Sequence, residues 1–417
     1  MDSCLNQRRE KLFADCKAPC MMVIFSGKAP MRSADESYPF SVDRNFYYLT
    51  GIDRENMALV MTKDYAGNVS EMLYIEPFDE VKAKWVGPRM KADEATGLSG
   101  IQTICYWEDF EDAVNSFVER NRGDGKMTFL LDLWKYQPDQ APTPAHLFAQ
   151  KVQREYPAVE IEEIFGEIAK MRGIKSLYEI NKMRVAQKTT RCAVEAMMKH
   201  AYPGVNECEL EGAFDFELSK HGVKEHAFPT IVAGGARATT LHYAKNNQVV
   251  KDGEMVLIDL GSANEHYCAD ISRTFPVNGK FTERQKEVYN VVLEAQKLVI
   301  DHARPGLTYR DLNNMVIEFY EQELPRLGLL KDGKTVRDYY YHSVSHSLGL
   351  DCHDVDTPSM KTLRPGMVIT VEPGLYIAEE GIGVRIEDDI LITEEKAINL
   401  SADILKTVEE IEALMAK

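Results

Sequence analysis

The chain has 417 residues, enough for two or three ordinary domains, and 44% hydrophobic with 28% charged content can bury a large core. A net charge of −17 excludes the broad basic face of a nucleic-acid binder and favours divalent cations. Eight cysteines without a dense framework or a Cys-x-x-Cys pair read as reduced thiols, and neither a signal core nor an apolar run of about 18 residues appears, so the cytoplasm is the expected compartment and neither nucleic acid nor membrane an expected partner.

In the first 160 residues strand-like and helix-like segments alternate. The apolar runs at 21–25, 46–49, 58–61 and 128–131 predict strands, and helical periodicity predicts helices over 108–121 and 143–155. This alternation implies a mixed α/β domain. A boundary falls near 160–175, where the run 159–164 leads into the polar stretch 170–176, and the chain divides into 1–165 and 166–417. Beyond it, a long amphipathic helix runs from Ser176 to about His200, where Pro203-Gly204 stops it, and a second covers 206–221. Strands follow from Thr230 to Phe275. A third helix starts at the cap-like Thr282 and ends near Ala303, before Arg304-Pro305-Gly306; a fourth covers 308–327, and strands return between 341 and 393. The class is α/β (α+β). Two helices followed by an acid-bearing hairpin occur twice, as in an internal pseudo-repeat.

The acids of those hairpins come in pairs. Asp259 ends the apolar run Met255-Val256-Leu257-Ile258, and Asp270 opens Ile271-Ser272-Arg273-Thr274-Phe275. A hairpin folded about Asn264-Glu265 places the two aspartates opposite one another. Glu372 and Glu387 repeat the arrangement around Glu379-Glu380-Gly381. Opposed like charges destabilise a strand pair, and at about 5 Å and an effective dielectric near 20 the repulsion is roughly 3 kcal/mol per pair. An isolated acid is usually a surface residue. These adjoin Val256-Leu257-Ile258 and Val368-Ile369-Thr370-Val371, and buried acids need partners. With His346 they form a donor set suited to Mn²⁺, Co²⁺, Fe²⁺ or Zn²⁺. Two divalent ions cancel four carboxylates and can acidify a bridging water into a nucleophile. The residue types fit hydrolysis without naming its substrate.

Five ordered motifs carry a resemblance. Asp259-Leu260-Gly261, the string from Asp270 to Phe281, the string from His342 to Asp354, Glu372-Pro373-Gly374-Leu375-Tyr376 and Val384-Arg385-Ile386-Glu387-Asp388 resemble the pita-bread metallopeptidases. Within them the likeness is greatest to the Xaa-Pro aminopeptidases (aminopeptidase P), with the Xaa-Pro dipeptidases (prolidases) next. Tyr38-Pro39-Phe40, Asn45-Phe46-Tyr47-Tyr48-Leu49-Thr50-Gly51 and Trp85-Val86-Gly87-Pro88-Arg89 resemble the family's creatinase-like accessory domain. The resemblance implies an N-terminal accessory and oligomerisation domain before a catalytic pita-bread domain, two divalent ions with Mn²⁺ foremost, and a homodimer or homotetramer. It also implies proline-containing peptides as substrates. The expected activity is removal of the N-terminal residue from peptides with proline second. Hydrolysis of Xaa-Pro dipeptides alone is the alternative, and a non-catalytic binding protein on the same fold is a third.

The same likeness implies roles. Asp259 and Asp270 would chelate one ion, His346 and Glu372 would bind the other, and Asp270 and Glu387 would bridge. Glu372 would also carry the proton from the nucleophile to the leaving proline nitrogen. His242 would contact substrate, His353 would donate to the scissile carbonyl, and His342 would help form the proline pocket or orient its neighbours. Arg385 would orient a ligand carboxylate with paired donors. Tyr376, at even spacing from Glu372, either reaches the substrate or packs as an ordinary aromatic. Cys352, where the family pattern has valine, is expected to pack as a small apolar residue beside His353, and Cys268 to be a strand residue rather than a ligand.

Overall fold

The computed structural model describes residues 2–123 and 126–416, and the chain divides into Met1–Met171 and Arg172–Lys417. In the first unit, strands β1 (Cys20–Phe25), β2 (Ala58–Lys63), β3 (Val69–Ile75), β4 (Ile104–Tyr106), β5 (Thr128–Leu131) and β6 (Glu160–Glu163) form one sheet in the order β4-β3-β2-β1-β5-β6. β2 pairs antiparallel with β1 and β3; the other three pairings are parallel. The sheet is therefore mixed. Tyr74, Phe110, Phe129 and Phe148 close one face in edge, tilted and stacked ring contacts.

One predicted strand is a helix. Residues Arg44–Thr50 are helical, with the Asp43 carboxylate accepting from the N–H groups of Asn45 and Phe46 and Gly51 closing the end in a left-handed conformation at φ 68°. Caps at both ends outweigh the aromatic run Phe46-Tyr47-Tyr48, and burial of residues 45–50 removes the polar face that would have revealed helical period.

In the second unit, the helices Leu177–His200, Glu207–Lys220, Glu283–His302 and Tyr309–Glu323 contribute to one apolar core. Ser176, Asn206, Thr282 and Thr308 each cap a helix in a reciprocal box with the residue three positions on. The fourth helix stops short of the expected 327, ahead of Pro325. Strands β7 (Ile231–Gly234), β8 (Met255–Leu260) and β11 (Ile271–Pro276) form one sheet in the order β11-β8-β7; β9 (Ala263–Asn264) and β10 (Tyr267–Cys268) extend the hairpin tip. β12 (Val368–Val371), β15 (Asp388–Ile392) and β16 (Ala397–Asn399) form another in the order β12-β15-β16, and β13 (Gly374–Ile377) pairs with β14 (Ile382–Arg385). Strands are sparser over 230–275 than expected: Gly235–Thr239 is a 3-10 turn and 240–254 is irregular.

Strand parity then positions the acids. Val256, Ile258 and Leu260 point into the helical core, as do Ile271, Phe275, Ile369, Val371, Val384, Ile386 and Ile390. Successive side chains alternate between faces. Asp259, Asp270, Glu372, Arg385 and Glu387 must therefore project from the opposite face, where Leu257 packs with Ile231, Ala233 and Tyr376.

Candidate metal centre

The first acid pair does not stand in the predicted register. Asp259 faces Ser272, and continuation of the ladder through Leu260–Ile271 and Ala263–Cys268 sets Asp270 beside Gly261. The turn lies at Glu265-His266, both with positive φ (50° and 66°), not at Asn264-Glu265. Positive φ at both central residues is the geometry of a two-residue hairpin turn whose twist matches the strands. Moving the turn by one residue moves the partner by two, so the aspartates remain on one face but stand diagonally. Gly261 permits the close crossing: a Cβ there would lie 1.8 Å from the Ala269 carbonyl oxygen. The second pair keeps its predicted register. Val371 pairs with Asp388 and Gly374 with Arg385, which sets Glu372 opposite Glu387.

His346 joins them from a segment lying alongside β12. Its carbonyl accepts from the Thr370 N–H, the Glu372 N–H donates to the Val344 carbonyl, and Ser347 bridges to Ile369. Its Nδ1 is 3.0 Å from the Ser347 carbonyl oxygen. That contact turns Nε2 toward the acids, 3.4 Å from Asp270 Oδ2 and 3.6 Å from Glu372 Oε1. Donor atoms of Asp270, His346 and Glu387 lie within 4.8 Å of one another.

The two hairpins are tied by one hydroxyl and one guanidinium. Ser272 Oγ donates to Glu387 Oε2 at 2.7 Å and accepts from Arg385 Nε at 2.8 Å. Arg385 Nη2 donates to Asp259 Oδ2 at 2.6 Å and its Nη1 to the Tyr376 hydroxyl at 3.1 Å, which in turn lies 2.8 Å from His342 Nε2. Cys352 Sγ donates to Asp270 Oδ2 at 2.9 Å, so the thiol touches the acid cluster rather than only packing. The Asp389 carboxylate accepts from the Asp270 N–H at 3.1 Å and from Gln187 Nε2 at 3.0 Å.

Without cations the electrostatics are unfavourable. Burial pushes Asp259 up to about 6 against the pull of Arg385. Burial pushes Glu372 to about 7 despite His346 and Arg385, and Glu387 well above the carboxylate range, with Asp270 and Glu372 adding to the rise. Burial opposes the charged form of His346, but the Asp270 contact and the Glu372 charge raise it to about 9. Burial and the Arg385 charge lower His342 to about 4; burial and His346 lower His353. Asp259 Oδ1 and Glu387 Oε1 are buried without a hydrogen-bond partner. An orphaned carboxylate oxygen in each hairpin, facing a cluster of like charge, fits a site for divalent cations.

These side chains line a cavity of about 590 Å³. Asp259, Asp270, His342, His346, Cys352, His353, Glu372, Arg385, Glu387 and His242 all reach it, and Phe228, Pro229, Ile231 and Leu241 supply apolar wall. Tyr376 is not among the lining residues. It is 2% exposed and packs behind Arg385 and His342, so the structure gives it no reach to a substrate. Sequence reasoning missed Ser272 and Asp389, whose signal was their even spacing from Asp270 and Glu387, and the wall residues Phe228 and Pro229, which lie outside any periodic segment.

The profile of metallopeptidase family M24 matches residues 181–394, and that of the aminopeptidase P N-terminal domain matches residues 5–124. The chain belongs to metallopeptidase family M24. Within that family, it is 35% identical over 424 residues to Xaa-Pro aminopeptidase 3 of Mus musculus, covering 95% of this chain and 81% of the relative. A structure from Bacillus anthracis, described as a candidate aminopeptidase P, superposes with a TM-score of 0.95 at 41% identity, covering 99% of this chain and 98% of the other. Escherichia coli aminopeptidase P with the inhibitor Pro-Leu superposes with a TM-score of 0.90 at 33% identity, covering 100% and 98%. Both domains have the folds expected from the sequence, a mixed α/β accessory domain and a pita-bread domain.

Proposed function

We propose that this chain removes the N-terminal residue from peptides whose second residue is proline. The observation that carries the reading is the set Asp259, Asp270, His346, Glu372 and Glu387 around one cavity that also presents His242, His342 and His353 and an apolar patch of Phe228, Pro229, Ile231 and Leu241. Asp259 and Asp270 would hold one divalent ion and His346 and Glu372 the other, with Asp270 and Glu387 shared. Bound there, the ions would polarise the scissile carbonyl and lower the pKa of a water to make it a nucleophile at neutral pH. Four carboxylates and one imidazole suit Mn²⁺ among the hard and borderline cations.

The chain's own groups do the rest. Arg385 forks between Asp259 and Ser272, fixing the orientation of one ligand and, through the hydroxyl, of Glu387. Glu372, with Oε2 3.9 Å from His342 Nδ1, is placed to hold the proton on its way to the leaving nitrogen. His353 stands beside His346, ring centres 4.3 Å apart, where it can donate to the substrate carbonyl oxygen. His242 contacts the peptide, and His342 borders the pocket for the proline ring. Tyr376 is a positioning residue for His342 and Arg385. A tertiary amide has no N–H to recognise, so an apolar wall of Phe228, Pro229, Ile231 and Leu241 reads the ring instead.

The eight free thiols and the acidic charge support a cytoplasmic setting. None of the described helices is long and apolar enough to cross a membrane. A homodimer or homotetramer is the expected assembly. The test is a reconstitution series with Mn²⁺, Co²⁺, Fe²⁺ and Zn²⁺ assayed on Xaa-Pro and Xaa-Pro-Xaa peptides. Release of the first residue from tripeptides supports the proposal; turnover of dipeptides alone would make the chain a prolidase.

A further inference from the structure

Two cations from the start of the second unit converge on one carboxylate behind the metal site. Arg172 Nη2 lies 2.5 Å from Asp354 Oδ1, and Lys175 Nζ lies 3.0 Å from Asp354 Oδ2. Arg172 also reaches Asp351 Oδ2 at 2.7 Å. Three of these side chains are almost fully removed from solvent, at 3% (Arg172), 1% (Lys175) and 1% (Asp354) exposure. A buried ion pair is a weak source of stability, because desolvation offsets most of the attraction. Its charges hold a geometry more than they add free energy.

The geometry held is that of the loop from His346 to Asp354. One carbonyl, that of Ser347, lies at both ends: the Asp354 N–H donates to it at 2.9 Å, and His346 Nδ1 lies 3.0 Å from it. Gly349 packs directly on the clamped carboxylate, since a Cβ there would lie 2.2 Å from Asp354 Oδ2. Gly349 O in turn accepts from the Cys268 N–H at 2.8 Å, anchoring the loop to the first hairpin. His353 immediately precedes Asp354 and lines the cavity.

We propose that Asp354, clamped by Arg172 and Lys175, is the positioning residue for both histidines of this loop, acting on His353 through the adjacent peptide and on His346 through the shared Ser347 carbonyl. The kinetic arm rests on the aminopeptidase reading; the metal-binding arm does not. The experiment is Asp354→Asn in the full chain, read by calorimetric titration with Mn²⁺, by thermal unfolding, and by kcat and KM on an Xaa-Pro-Xaa peptide.

Mn²⁺ affinity falls about 10-fold or more, because loosening the clamp displaces the Ser347 carbonyl that orients His346. Saturating Mn²⁺ restores occupancy but leaves kcat at least about 10-fold low with KM within about 3-fold, because His353 stays misplaced. A lower Tm with affinity and kcat unchanged within about 2-fold at saturating Mn²⁺ would mean that the clamp only supports the fold, and the proposal would be overturned. If the asparagine variant does not fold, Lys175→Met, which leaves Arg172 on the carboxylate, is read by the same measures, and unchanged values there overturn it equally. A wild-type chain inactive on Xaa-Pro-Xaa would sink the functional reading while the Mn²⁺ titration still decides the clamp.

Discussion

The hairpin carrying Asp259 and Asp270 and the hairpin carrying Glu372 and Glu387 bring like charges together in different registers. In the first, the acids stand diagonally, and one of them accepts from the Arg385 guanidinium at 2.6 Å. In the second, the acids stand in direct opposition, where Coulomb repulsion between them is greatest. Burial raises Asp259, Glu372 and Glu387 alike, and for Glu387 the Asp270 charge adds more than that of Glu372 opposite it. Arg385 thus contacts an acid of the first hairpin directly, while in the second Glu372 has His346 at 3.6 Å and Glu387, among the described residues, only the Ser272 hydroxyl against its carboxylate. That asymmetry can be tested from both sides.

The largest expected effect is at the second hairpin. Glu387→Ala removes the acid proposed to be shared by both ions and is expected to lower kcat/KM by roughly 10³-fold, about 4 kcal/mol of transition-state stabilisation. It should also weaken binding of both ions in a Mn²⁺ titration; retention of two tightly bound ions would refute the shared role. Ser272→Ala comes next. It removes the hydroxyl that joins Arg385 to Glu387 and touches no proposed ion, so a loss of roughly 10-fold in kcat/KM is expected. A variant indistinguishable from wild type would show that the hairpins are electrostatically independent.

The smallest effect is on the stability of the metal-free protein. Asp259 and Glu372 are raised to about 6 and about 7, and His346 to about 9. A group raised in the folded state contributes stability below its unfolded pKa and loses it as pH rises through the folded value. The metal-free chain should therefore lose stability between pH 6.5 and 8, on the order of 1 kcal/mol. His342, lowered to about 4, acts in the opposite sense only as pH falls below about 6.5, outside this window. Denaturant unfolding at pH 6.5 and pH 8, with and without Mn²⁺, measures it. A pH dependence that survives saturation with Mn²⁺ would place its origin elsewhere.

What the sequence made legible was parity. Each acid of the cluster adjoins an apolar strand segment, and alternation along Val256-Leu257-Ile258-Asp259 or Val368-Ile369-Thr370-Val371-Glu372 already assigns acid and core to opposite faces. Pairing register was legible only for the second hairpin, where Glu379-Glu380-Gly381 marks the turn. For the first it was not, because Glu265 and His266 carry none of the Asn or Gly usually found at positive φ. The stretch 170–176 was legible only as a polar boundary, since nothing local reveals that Arg172 and Lys175 meet Asp354 at separations of 182 and 179 residues. The helix Arg44–Thr50 was hidden for the converse reason: it is buried over residues 45–50, and its capping residues were the only sign.

The Glu265-His266 turn has a consequence for how damage to this protein would look. The spacing of two proposed metal ligands is stored at a hairpin tip, with Glu265 exposed and His266 buried beside Glu225, that supplies no group to the cavity. A substitution there that let the strands slip past one another would carry Asp259 away from Asp270 while leaving every ligand chemically intact. At Glu265 such a lesion would have a surface address and an active-site phenotype.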